Sequence, residues 1–235
     1  MRVLENLEPK EVFSYFEDIC SIPHGSGNTQ QISDYCVNFA KEHGLKYRQE
    51  ECGNVIIWKD ATPGYEQAPT VILQGHMDMV AVKEADCTLD LEKDGLLLEI
   101  DGDWVQAKGT SLGADDGIAV AYALTILAAD DIPHPTLEAV FTVGEEVGLT
   151  GATALDASDL TGKILMNMDS ENEGVFLIGC AGAATVACCL PVHKENVSGQ
   201  MFEWHIDGLM GGHSGMEINK ERANANKVFG RFLAY

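Results

Sequence analysis

The 235-residue sequence predicts an α/β fold, and three patterns carry that prediction. Short apolar runs of strand length alternate with segments of helical period. Two of those runs are continuous rather than alternating, the pattern of strands covered on both faces. Clusters of Gly, Ser, Asn and Asp separate the segments where turns are needed.

Residues 8–20 set Val12, Phe13, Phe16 and Ile19 on one side of a helix, and residues 29–43 repeat the pattern, entered at Asn28 and left at Gly44. Between them SIPHGSGN (21–28) is a loop. NVIIW (54–58) and TVILQG (70–75) read as strands, and LLLEI with WVQA flanks Asp101-Gly102-Asp103 as a hairpin. The stretch DGIAVAYALTILAA (116–129) is almost wholly apolar and opens on an Asp, which predicts a buried helix with Asp116 as its cap. LEAVFTV (137–143) and KILMNMD (163–169) are the two continuous strands. The texture changes near residue 185, so a first domain is expected over 1–185 and the start of a second over 186–235. A last helical stretch from about residue 220 carries no stop signal at its end, and the chain is expected to be the N-terminal part of a longer protein.

Composition narrows the function. With 46% hydrophobic residues there is enough apolar material for one full core and part of another. Fifteen Lys and Arg against 37 Asp and Glu give a formal charge of −22, which repels nucleic acid and anionic membranes and favours cations. No apolar run approaches the roughly 20 residues of a membrane span, and the start has no signal-peptide pattern, so a cytoplasmic protein is expected. Seven cysteines at 20, 36, 52, 87, 180, 188 and 189 lack any CxxC spacing. They read as reduced thiols, mostly buried and inert in settings such as VACCL.

Four clusters of metal-ligand type stand where strands end, the usual position of sites in open α/β sheets. In Gly75-His76-Met77-Asp78 the side-chain period of two turns His76 and Asp78 the same way, so the carboxylate can take the second ring proton. In Ser111-Leu112-Gly113-Ala114-Asp115-Asp116-Gly117 two carboxylates open a helix. They serve either as caps or as ligands, and the division favoured is Asp115 toward a metal and Asp116 capping. In Gly144-Glu145-Glu146-Val147-Gly148 adjacent side chains diverge, so one can bind metal while the other acts as a base. The fourth cluster, Met168-Asp169-Ser170-Glu171, closes the strand KILMNMD. Taken singly each cluster has an ordinary structural explanation; together, one His and several carboxylates need a cation for balance. Mixed imidazole and carboxylate ligation suits Zn²⁺, with Mn²⁺ and Co²⁺ possible.

The ordered set GHMDMV, GTSLGADDG, GEEVGLTG and NMDSE, with SIPHGSGN and GGHSGMEI, resembles the M20 metallopeptidases, and within them the aminoacyl-histidine dipeptidase branch. The resemblance implies a zinc-peptidase-like catalytic domain, with a central mixed sheet flanked by helices, followed by the start of an α+β lid domain. It implies two Zn²⁺, with His76 and Asp169 on the first, Glu146 on the second and Asp115 bridging. By the same resemblance Asp78 orients His76, Glu145 is the general base, and His213 is the lid histidine that approaches the substrate carbonyl. A further His ligand of the second zinc matches no histidine of this chain. The implied reaction is hydrolysis of short peptides, Xaa-His dipeptides such as β-alanyl-histidine among them, by a homodimer when full length. An aminoacylase, deacetylase or carboxypeptidase acting on N-acyl amino acids is the alternative within the same architecture. A non-catalytic dimerisation module is the alternative of another class, and this length of chain is itself expected to be inactive.

Overall fold

The computed structural model describes residues 2–170, 174–179, 186–212 and 217–234. The chain divides into two units, residues 1–176 and 177–235, so the second domain expected from 186 begins inside the second unit.

The first unit opens with α1 (Lys10–Cys20), whose buried residues Val12, Phe16, Ile19 and Cys20 form one stripe at helical spacing. In α2 (Gln30–Glu42) the buried face is Ile32, Ser33, Cys36, Val37, Phe39 and Ala40. Gly44 ends this helix at φ +64°, with Gly44 N–H donating to Lys41 and Leu45 N–H to Ala40, the paired bonds of a Schellman exit. Strands β1 (Lys46–Gln49), β2 (Val55–Lys59) and β3 (Val71–His76) follow. The hairpin of β4 (Leu98–Asp101) and β5 (Trp104–Ala107) turns at Gly102-Asp103 and makes a separate two-stranded sheet. Helix α3 (Ala114–Ala128), β6 (Leu137–Thr142), the short α4 (Thr150–Ala154) and β7 (Ile164–Asn167) complete the unit.

The main sheet has the order β1-β2-β6-β3-β7. β1, β2 and β6 pair antiparallel, whereas β3 lies parallel to both β6 and β7. Helix α3 packs between α1 and β3, which is why its sequence is apolar nearly all round. The larger core lies on this helical side, with Phe16, Ile19, Leu73, Leu124 and Phe141 in one cluster. On the other face Ile56, Ile72 and Val140 are covered by Trp58, Leu155 and Leu160.

The strands 137–143 and 163–169 look alike in sequence and end differently. Every residue of β6 is buried, as expected of a central strand. Every residue of β7 is exposed, with Leu165 at 59%. The expectation of two covered faces fails for β7 because among the described residues it pairs with β3 alone and forms an edge of the sheet.

Two buried polar side chains tie the connections to the sheet. Glu138 of β6 accepts from Thr161 N–H, Thr161 Oγ1 and Gly162 N–H at 2.8–3.1 Å, fixing the entry to β7. Asn54, fully buried, accepts from Val143 N–H at 3.1 Å and donates to the Gly151 carbonyl at 2.9 Å, fixing the segment between β6 and α4.

In the second unit a 3-10 turn at Ile218–Lys220 precedes α5 (Ala225–Leu233). Asn224 caps that helix by accepting from Lys227 N–H at 3.0 Å. Cys188 and Cys189, expected to be buried, are exposed in this unit. Cys20 and Cys36 are buried as expected, and burial pushes both thiols up to about 12, which keeps them unreactive. Among the described residues no helix is long and apolar enough to cross a membrane.

Removing the Asn54 amide leaves the Val143 N–H and the Gly151 carbonyl without those bonds in a buried setting. Asn54→Ala is expected to lower stability by about 1–3 kcal/mol or more in urea unfolding. Trp104→Ala, at a side chain 77% exposed, is expected to stay within about 0.5 kcal/mol. Equal midpoints for the two variants would contradict this account of the segment.

Candidate metal centre

The parallel pairing of β3 with β6 and β7 brings three strand ends to one edge of the sheet, and the start of α3 reaches the same place. His76 is the last residue of β3 and is 1% exposed. Its Nδ1 lies 2.8 Å from the main-chain carbonyl of Asp78, so the ring proton goes to that carbonyl. The Asp78 carboxylate also faces the same nitrogen, at 3.6 Å. Nε2, facing the other way, meets Asp115 Oδ1 at 3.0 Å, Asp169 Oδ2 at 3.8 Å and Glu145 Oε2 at 4.0 Å.

Asp115 and Asp116 depart from helical φ/ψ at the start of α3, and the peptide between them is cis. Asp116 does not cap the helix. Its Oδ2 accepts from His76 N–H at 3.2 Å, and the side chain is buried against β3. Gly75 makes room for it, since a Cβ at that position would stand 2.8 Å from Asp116 Oδ2 and 2.9 Å from the Ala119 Cβ. The glycine one residue before His76 was the signal for this close approach, and a helix-start pattern read by itself hides it.

After β6 the chain turns at Gly144, where φ is +64°, and Glu145 N–H donates to Asp78 Oδ1 at 3.1 Å. Asp169 follows β7, held by Met168 N–H donating to the Gln74 carbonyl. Two groups of ligand-type atoms result, His76 with Asp116 and Asp169, and His76 with Asp115 and Glu146, each with its atoms within 4.8 Å of one another. The structure thus brings together His76, Asp78, Asp115, Glu145, Glu146 and Asp169 and adds Asp116. His213 lies outside the described residues. Met77 and Met79 are buried core residues, as their setting implied. His24 and His134 are buried and face no part of this cluster with a hydrogen bond.

The carboxylates dominate the electrostatics. Burial works against a charged His76, but the hydrogen bonds to Asp115 and Asp78 and the charges of Asp116 and Asp169 outweigh it and push the imidazole up to about 11. Burial, reinforced by the charge of Asp169, pushes Asp116 up to about 8. Burial would raise Asp78, but bonds from His76, Ser26 and the Glu145 amide hold it down to about 2. Glu145 is raised by burial and by the charges of Asp169, Asp115 and Asp78, and Glu146 is raised mainly by burial. The site therefore holds a proton where the same donor set would take a cation. One imidazole with several carboxylate oxygens at this spacing fits a divalent metal of the zinc or manganese type.

No protein-family model matches the chain. Over 236 aligned residues it is 43% identical to the cytosol non-specific dipeptidase of Escherichia coli K12, an alignment covering 100% of this chain and 49% of that protein. The crystal structure of aminoacylhistidine dipeptidase from Vibrio alginolyticus superposes with a TM-score of 0.75 at 41% identity, over 98% of this chain and 48% of that one. The aminopeptidase PepT of Bacillus cereus superposes with a TM-score of 0.57 at 25% identity, over 69% and 44%. The chain spans about half the length of the relatives it matches. Similarity along the whole of this chain, in sequence and in fold, bears out the resemblance to the aminoacyl-histidine dipeptidases of the M20 type.

Proposed function

We propose that this chain supplies the metal-binding half and the general base of a dipeptidase that hydrolyses dipeptides, Xaa-His dipeptides among them, at a pair of zinc ions. The observation that carries the reading is the convergence of His76, Asp115, Asp116, Glu146 and Asp169 into two ligand groups, with Glu145 at their margin. His76, Asp115 and Asp169 would hold one ion, and Asp115 with Glu146 the other. Asp116 lies within reach of His76 and Asp169. Bound there, a divalent ion supplies Lewis acidity toward the peptide carbonyl and a lowered pKa for water.

The protein's own groups then have separate tasks. The Asp78 main-chain carbonyl accepts a hydrogen bond from His76 Nδ1–H, which keeps that proton on Nδ1 and makes Nε2 the atom that would give up its proton to a metal. Glu145, raised above an ordinary glutamate, takes a proton from the attacking water and delivers it to the leaving amine nitrogen as the C–N bond breaks. His213, in Gly211-Gly212-His213-Ser214-Gly215, is assigned to the carbonyl oxygen, where its N–H would stabilise the tetrahedral oxyanion. Homodimer assembly and a cytoplasmic location belong to the same reading. The location is supported by the name of the E. coli relative, a cytosol dipeptidase.

The test of the reaction uses the protein that carries this chain, loaded with zinc and offered Xaa-His dipeptides beside N-acyl amino acids. Release of free histidine is expected, with Glu145→Ala lowering kcat by about 10²–10⁴ while zinc content is unchanged. Preferential cleavage of the N-acyl substrates would replace the dipeptidase reading with an acylase one.

Metal should also show itself in stability. Zinc at about 100 times its Kd is expected to stabilise the chain by about 2.7 kcal/mol against unfolding, and His76→Ala to remove that gain. A chain whose unfolding midpoint ignores zinc would count against the site.

The metal-free chain has a pH response of defined sign. Asp116 is held up to about 8 against 3.8, and His76 up to about 11 against 6.5. Each keeps its proton in the folded state after the unfolded chain has lost it. Their stabilising contributions are complete below the unfolded values and are lost as pH rises through the folded ones. Asp78, held down to about 2 against 3.8, acts at lower pH, outside this window. The midpoint of the metal-free chain is expected to fall between about pH 5 and about pH 9, with Asp116→Asn flattening the lower part of that fall. A midpoint that rises across the range would show that these carboxylates are not crowded as described.

A further inference from the structure

The loop SIPHGSGN has no part in the reaction as derived, yet it lies against the metal centre. We propose that Ser26 is a positioning residue for that centre, fixing the Asp78 carboxylate and, through it, both His76 and the backbone of Glu145. The inference rests on the metal-centre reading above.

The loop is built to reach Asp78. Met79 N–H donates to the His24 carbonyl and Ser26 N–H to the Met79 carbonyl, both at 3.1 Å, so residues 24–26 run beside the segment that continues β3. Gly25 permits this approach, because a Cβ there would stand 2.7 Å from the Ala81 Cβ. Asn28 secures the far end by donating from its N–H to the Gly25 carbonyl at 2.8 Å and from Nδ2 to the Glu92 carbonyl at 3.0 Å.

Ser26 Oγ then donates to Asp78 Oδ2 at 2.7 Å, the length of a strong hydroxyl bond to a carboxylate. The other oxygen, Oδ1, accepts from Glu145 N–H at 3.1 Å and lies 3.6 Å from His76 Nδ1. Three segments distant in sequence thus meet on one carboxylate that is 1% exposed. The terminal torsion of an aspartate is broad and nearly two-fold, so the carboxylate plane is set by its partners. With Ser26 in place, Oδ2 is occupied and Oδ1 is turned toward the ligand and the base together. Without it, the carboxylate is free to rotate, and Oδ1 loses its fixed place beside both His76 Nδ1 and the Glu145 amide.

The alternative is that Ser26 only staples the loop, since its Oγ also lies 3.4 Å from the Met79 carbonyl. The two differ in whether the effect passes through Asp78. The experiment is zinc titration of the 235-residue chain in competition with a chelator, with circular dichroism and the metal-free unfolding midpoint read in parallel. Ser26→Ala is expected to weaken zinc binding about 10–100-fold, and Ser26→Thr to restore it to within about threefold. Ser26→Cys keeps the volume with a poor donor and is expected to weaken binding as well, which covers the case of an alanine variant that does not fold. On an Asp78→Asn background Ser26→Ala is expected to add no further loss, because the path is already cut. Unchanged affinity in the folded Ala and Cys variants, or full additivity with Asp78→Asn, would overturn the role of Ser26 alone. A wild-type chain that takes no zinc would remove the metal-centre reading and this inference with it.

Discussion

The contact between His76 Nε2 and Asp115 Oδ1, 3.0 Å long, sets the terms for everything built around it. An imidazole 1% exposed faces Asp115, Asp169 and Glu145 on one side and Asp78 on the other, with Asp116 bonded to its own backbone N–H. Carboxylates crowded this way repel one another, and partial burial raises the penalty. Positive charge must enter, as a proton on the imidazole or as a metal ion. The fold holds the anions in place either way, because they are spread over different elements, Asp78 after β3, Asp115 and Asp116 at the start of α3, Glu145 after β6 and Asp169 after β7.

That holding comes from the sheet order. Parallel pairing of β3 with β6 and β7 lines up the residues that follow all three strands, and the βαβ crossover through α3 returns its first turn to the same edge. Gly75 lets that turn approach closely enough for Asp116 to touch the strand. Asn54 and Glu138, both buried and bonded to the connections on either side, stop those connections from drifting. Glu145 is reached from β6 only through the turn that Asn54 clamps.

Much of this was legible in the sequence, for a physical reason. A ligand at the end of an apolar run is a local pattern, and the strands, the hairpin at Gly102-Asp103 and the buried helix are set by local period and turn chemistry. Features that depend on what lies beside an element were not legible. β7 has the composition of a central strand, but its place in the order makes it an edge. Asp116 has the sequence of a helix cap, but the nearest bonding partner in space is the His76 amide. Cys188 and Cys189 sit in an apolar run, yet in the second unit they are exposed.

The exposed edge has a consequence for the site. His76 and Asp115 stand on elements packed into the larger core, whereas Asp169 follows a strand with no buried residue and one strand partner among those described. Its position depends on the parallel bonds to β3, on the Met168 amide bonding to Gln74, and on Glu138 gripping residues 161 and 162 at the far end. A carboxylate so placed is anchored at both ends of its strand, with the Asn167 amide donating to Gln74 Oε1 along it but no buried apolar side chain. Ion binding by Asp169 would therefore add a further restraint to β7, so that metal and edge strand support one another, whereas His76 is held by packing before any ion arrives.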